Sequence, residues 1–171
     1  HAANLENLSN ARQGLITVAD MHDYRALWRK PMSFKWRNLT VHTMGLPSTG
    51  GIILQQCLMM TDKHLVDSLG DRHPKNVHTI IEAERRAFED RAVFLGDTDY
   101  VYVPLDSILS GRYLDKRFSD FDTSFAAKSI APDSLGFIKL KEKFETTHIS
   151  VVDEMGNAAS VTTTLNGNYG S

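Results

Sequence analysis

The sequence predicts an α+β chain, with helices through most of its 171 residues and a threonine-rich β-hairpin at its end. Three observations carry that prediction. In "NVHTIIEAERRAFEDRAVFLGD" (76–97), Val77, Ile80, Ile81, Phe88, Ala92 and Leu95 recur near a 3.6-residue period, the mark of a helix. In "MSFKWRNLTVHTM" (32–44), aromatic and β-branched residues alternate with polar ones around Arg37-Asn38, the mark of two short strands. The last 27 residues switch to a period of two around the turn candidate "EMG" (154–156).

The totals narrow the class. Hydrophobic residues make up 42% and charged residues 23%, an ordinary globular balance that argues against disorder and against a membrane protein. A formal net charge of −2 leaves no basic footprint, so no nucleic-acid partner is expected. The longest apolar stretch, "GGIILQQCLMM", is broken by two glutamines and falls well short of the roughly 20 residues of a membrane span. Cys57, the single cysteine, excludes an internal disulfide and reads as inert core. "HAANLENLSN" shows no signal-peptide pattern.

Taken in order, residues 2–12 place Ala3, Leu5 and Leu8 as a short helix closed by Gly14. A second short helix follows Thr17, the predicted N-cap, with Asp20 as its capping-box acid. After the 32–44 hairpin, "GLPSTGG" punctuates the chain and opens a helix through the apolar run Ile52 to Met60. The 76–97 helix carries Arg and Glu opposite its apolar stripe, and its "ERR" and "EDR" charges read as salt-bridged surface or subunit contacts. Residues 104–118 read as one or two short helices, and 119–143 as a linker-like loop. A terminal hairpin needs a sheet to join, so the chain is expected to be cut from something longer.

In the last segment, "ETTHISVVDEMGNAASVTTTLN" (145–166), a turn at 154–156 closed by Asp153 and Asn157 makes opposed residues sum to 310. Thr146 then faces Thr164, and Asn166 leaves on the same face. Two hydroxyls and an amide converge at the open end. Facing threonines also occur as plain strand residues that add a few tenths of a kcal/mol, so the residues alone leave a structural pair and a nucleophile with helpers both open.

Read together, "GLITVADMHDYRA", "PSTGG", "EAERRAFEDRAVFLGD" and "ETTHISVVDEMGNAASVTTTLN" resemble, in this order and spacing, the gamma-glutamyltranspeptidase family. The resemblance implies an N-terminal nucleophile (Ntn) hydrolase with the αββα four-layer fold, of which this chain would be a piece. It divides the chain into 1–145, the C-terminal part of the large subunit, and 146–171, the first hairpin of the small one. It implies self-cleavage at Glu145-Thr146, Thr146 as nucleophile with its own amine as base, Thr164 supporting that hydroxyl, and Asn166 binding the substrate's α-amino end. Implied substrates are γ-glutamyl compounds such as glutathione, with acceptor amino acids, peptides or water. No cofactor and no metal are implied, and the partners are the remainder of the protein's own two subunits.

The resemblance also implies export to the periplasm or the medium. The family's oxyanion-hole glycines, paired serines and carboxylate-binding arginine would lie outside these residues. Alternatives are a non-catalytic structural piece, or a relative acting on poly-γ-glutamate or on β-lactam acyl groups.

Weaker motifs read blandly. "PSTGG" lacks the lysine and spacing of a phosphate loop and reads as a turn at a helix start, with Thr49 where the family has serine. His73, His78 and Glu82 suggest a metal site only superficially, because zinc wants a defined third ligand and Pro74 separates His73 from the helix. His148 and Ser150 share the strand face of Thr146, about 7 Å apart per two residues, and read as packing or a supporting hydrogen bond.

Overall fold

The computed structural model describes residues 3, 4, 6, 7, 16–128 and 146–164. They fall into two compact units, His1–Ala127 and Lys128–Ser171.

In the first unit, residues 3, 4, 6 and 7 are helical, while the rest of the predicted 2–12 helix and Gly14 lie outside the described residues. Helix α1 (Val18–Asp23) starts on the predicted capping box: the Thr17 hydroxyl accepts from Asp20 N at 3.2 Å, and the Asp20 carboxylate accepts from Thr17 N at 2.8 Å. Strands β1 (Met32–Trp36) and β2 (Leu39–Thr43) pair antiparallel from Met32↔Thr43 to Trp36↔Leu39, with Arg37 and Asn38 as the turn. Arg37 takes φ 51°, a left-handed conformation costly for any residue with a Cβ. Its guanidinium offsets that cost by bonding Asp62 and Asp67, each at 3.0 Å.

Helix α2 (Gly50–Thr61) begins at the predicted loop. Its second residue must be glycine for a steric reason. A Cβ at Gly51 would stand 2.1 Å from the Met44 carbonyl oxygen and 2.7 Å from the Thr43 methyl group. The helix start is thus pressed onto the end of β2. Gly51→Ala is expected to cost about 1–3 kcal/mol through forced backbone displacement, visible as a lowered thermal midpoint of the protein.

A 3-10 turn (Asp67–Leu69) leads to helix α3 (Pro74–Phe94), which has proline in its first turn and His73 as N-cap, the His73 ring accepting from Lys75 N at 3.3 Å. Two short helices follow, α4 (Leu105–Ile108) and α5 (Gly111–Arg117), the latter capped by Ser110. The core lies between these helices. One cluster joins Met60 of α2, Ala83 and Ala87 of α3, Leu114 of α5 and Phe118, with Cys57 half-buried against it. A second joins Leu46, Ile52, Val103 and Ile108. Burial pushes the Cys57 thiol up to about 12, which fits its reading as inert core.

The phase of α3 corrects the sequence reading. The helix is where the period predicts it, yet the buried face carries Asn76, Thr79, Glu82, Ala83, Arg86, Ala87 and Asp90, while Ile81 and Phe88 are 55% and 45% exposed. Of the "ERR" and "EDR" charges, Arg86 and Asp90 are therefore interior rather than surface groups, Arg85, Glu89 and Arg91 are half-buried, and Glu84 is exposed. The physical reason is that Arg86 and Asp90 find partners from distant segments, while Arg85 pairs within the helix, with Glu82 at 3.2 Å and Glu89 at 2.9 Å. Arg86, 2% exposed, donates to the Glu82 carboxylate and to Asp120, both at 2.6 Å, and to the Arg117 carbonyl at 2.8 Å. Asp90 accepts from Gln56 of α2 and from the Tyr113 hydroxyl of α5, both at 2.9 Å. Asn76 holds the preceding loop by donating to the Val66 and Gly70 carbonyls and accepting from Val66 N. Ala83 and Ala87 supply the small contact points that let α2 approach.

In the second unit, β3 (Thr146–Val152) and β4 (Ala158–Thr164) pair antiparallel from Thr146↔Thr164 to Val152↔Ala158. Every opposed pair sums to 310, as expected. The turn closes through Asp153, whose backbone N donates to Asn157 O at 2.9 Å and whose carboxylate accepts from Met155 N and Asn157 N at 2.9 and 2.8 Å. Gly156 takes φ 83°, the conformation for which glycine suits this turn.

Candidate active site

Side chains two apart on a strand share a face, so the register collects Thr146, His148 and Ser150 of β3 with Thr164, Thr162 and Ser160 of β4. The opposite face carries Ile149, Val151 and Val161, each more than half exposed. The first face thus gathers hydroxyls around one imidazole, with Val152 and Ala158 at its closed end, while the second is apolar except for the Thr147–Thr163 pair at its open end.

The imidazole is fully engaged. His148 Nδ1 shares a hydrogen bond with Thr162 Oγ1 at 2.7 Å, and Nε2 lies 2.8 Å from Ser150 Oγ and 3.2 Å from Ser160 Oγ. The expected supporting hydrogen bond is present. With both ring nitrogens occupied and about 7 Å of strand between the residues, His148 is poorly placed to serve as base for Thr146.

Thr146 and Thr164 stand directly opposed at the open end of the ladder. Glu145 and Asn166 lie outside the described residues. At the closed end, hydrogen bonds led by that from the Asn157 side chain hold the Asp153 carboxyl below the usual range, which keeps the turn's acceptor ionised.

The remaining candidates have structural partners. His73 caps α3, while His78 Nε2 meets the Asp122 carbonyl at 2.9 Å and its ring lies against Phe121. Glu82 belongs to the Arg86 network, and Ala127 N donates to its other oxygen at 3.2 Å. In "PSTGG", the Thr49 hydroxyl accepts from Arg91 Nε at 3.1 Å instead of capping the helix it precedes.

Two features escaped the sequence reading. The first is the buried charge network, whose only local signal is the i, i+4 row Glu82, Arg86, Asp90 with Gln56 inside an apolar run. The second is a cleft of about 550 Å³ in the first unit, lined by residues such as Leu27, Arg29, Lys30, Met44 and Pro47. Only the basic pair before Pro31 hinted at it.

The family model for gamma-glutamyltranspeptidase matches residues 1–171. A glutathione hydrolase proenzyme of Pseudomonas aeruginosa is 38% identical over 161 residues, covering 93% of this chain and 28% of the relative. The acylase ACY 1 proenzyme of a Pseudomonas species, strain SE83, is 34% identical, covering 94% of this chain and 28% of the relative. The crystal structure of Helicobacter pylori gamma-glutamyltranspeptidase superimposes with a TM-score of 0.67 at 34% identity, over 75% of this chain and 37% of that one. The chain therefore spans under a third of the length of these curated relatives. The structural likeness bears out the α+β class and its place within that larger fold.

Proposed function

This chain belongs to the gamma-glutamyltranspeptidase family, and on that premise we propose that it carries the self-processing junction and nucleophile of a γ-glutamyl transferase or hydrolase. The observation that supports this most is the direct opposition of Thr146 and Thr164 on the hydroxyl face of the hairpin. The proposed boundary falls between residues 145 and 146, dividing a large-subunit part from a small-subunit part.

In the precursor, the Thr146 hydroxyl attacks the Glu145 carbonyl carbon, the peptide C–N bond breaks, and the nitrogen leaves as the free amine of Thr146. Water then hydrolyses the resulting ester. That amine, with an ordinary pKa of about 8, is suited to take the hydroxyl proton in later turnovers. Attack on a γ-glutamyl amide forms a γ-glutamyl ester of Thr146 and releases the amine, to which the proton passes. An acceptor amine or water then takes the acyl group. Thr164 hydrogen-bonds the nucleophile and Asn166 receives the substrate's α-amino end. Export to the periplasm or the medium is the proposed compartment.

The similarity to an acylase supports keeping the second substrate class that the family resemblance implies, β-lactam acyl side chains. Both classes use the same nucleophile, so the test is one of substrate. The full-length protein is expected to release aniline from a chromogenic γ-glutamyl anilide much faster than it deacylates a cephalosporin. Thr164→Val is expected to slow the former about 10²-fold through misplacement of the nucleophile. Faster deacylation of the cephalosporin would overturn the γ-glutamyl assignment, and an undiminished Thr164→Val rate would remove that residue from the mechanism.

A further inference from the structure

We infer that His148 is a positioning residue for Thr146, acting through Thr162 and the strand register; the inference rests on Thr146 being the nucleophile. Three consecutive threonines, Thr162, Thr163 and Thr164, end β4. Their chemistry is identical, so the sequence of this stretch does little to specify which of them faces Thr146. A slip of one residue would exchange the two faces and put Thr163 opposite the nucleophile.

The turn at Asp153–Asn157 fixes the register only from the closed end. At the open end, the task falls to side chains paired across the strands. His148 directly opposes Thr162, one same-face step from the Thr146–Thr164 pair, and bonds it at 2.7 Å.

The ring does more than bridge one pair. A neutral imidazole has one donor and one acceptor nitrogen. Nδ1 serves Thr162, and Nε2 serves Ser150 on its own strand and Ser160 on the other, at 2.8 and 3.2 Å. Three rotatable hydroxyls are thereby oriented by one rigid planar group. A phenyl ring would keep the size and lose every bond, whereas Asn or Gln would restore one donor and one acceptor.

The test follows self-cleavage before Thr146 in the full-length protein, by intact mass against time, alongside thermal melting. His148→Phe is expected to slow cleavage about 10- to 100-fold, the scale of a misplacement near 1 Å. At least one of His148→Asn and His148→Gln is expected to recover tenfold of that loss. Thr162→Val should slow cleavage comparably, and the double variant His148→Phe/Thr162→Val should be no slower than His148→Phe alone. Cleavage of His148→Phe at the wild-type rate would overturn the inference, as would slowing that neither amide relieves or that merely follows a fallen melting temperature. A wild-type protein left uncut under the same conditions would sink the nucleophile assignment itself and this inference with it, a failure visible in the control alone.

Discussion

Thr146→Ala is expected to leave the full-length protein as a single uncut chain and to lower γ-glutamyl turnover on the order of 10⁴-fold or more, as removal of a covalent nucleophile does. One substitution has two effects because cleavage generates the base that catalysis then uses. Without the hydroxyl there is no attack on the Glu145 carbonyl, so no free amine appears at residue 146. Thr146→Ser keeps the hydroxyl and loses only the methyl group that restricts its rotamers, so cleavage is expected to persist at a reduced rate. Intact mass after incubation at neutral pH reads both variants. Two pieces meeting at residues 145 and 146 in the Ala variant would mean that another group cuts the chain, and the hairpin would lose its proposed role.

The hairpin was legible because its information is local. Asp153, Gly156 and Asn157 close a turn through their own backbone and side-chain bonds, and a period of two then fixes every pair out to Thr146↔Thr164. The same locality made the Thr17–Asp20 capping box and the Arg37-Asn38 turn readable. Helix α3 shows where locality stops. Its period was clear, but a period has no sign, and the choice of inner face depends on groups elsewhere. Arg86 is buried because Asp120 and the Arg117 carbonyl lie 34 and 31 residues away to receive it, and Asp90 because Gln56 and Tyr113 do. No window around residue 86 contains those partners. The roles of Thr146 and Thr164 came from family likeness, since a facing pair of threonines is chemically ambiguous by itself.

That interior network also predicts the largest stability effect. Arg86→Met is expected to cost about 3–5 kcal/mol, because it leaves Glu82 as a charge inside the helix packing without its closest partner. The companion change Arg86→Met/Glu82→Leu is expected to recover much of the loss, since removing both charges also removes the cost of burying them. Acid provides an independent reading of the same contacts. Burial pushes the Glu82 carboxyl up, but hydrogen bonds from Arg86 and Arg85 outweigh it and hold it below the usual range; the bond from Arg86 likewise lowers Asp120. A carboxylate lowered in the folded state stabilises above its unfolded pKa, and that contribution disappears as pH falls through the folded value. Asp90 has the opposite sign: burial raises it, so its contribution is present in acid and lost as pH rises through its folded value. Wild-type stability is therefore expected to fall on acidification below the ordinary carboxylate range, with Asp90 opposing part of the fall. In Arg86→Met the Arg86 bonds to Glu82 and Asp120 are missing while the Arg85 bond to Glu82 remains, so the acid dependence should flatten in part. Urea unfolding midpoints of the full-length protein from neutral pH into the acid range, with unchanged slopes, measure both effects. A loss under about 1 kcal/mol at neutral pH would show that water or a neighbouring cation replaces Arg86, and that the network is not what holds α3 with its charged face inward.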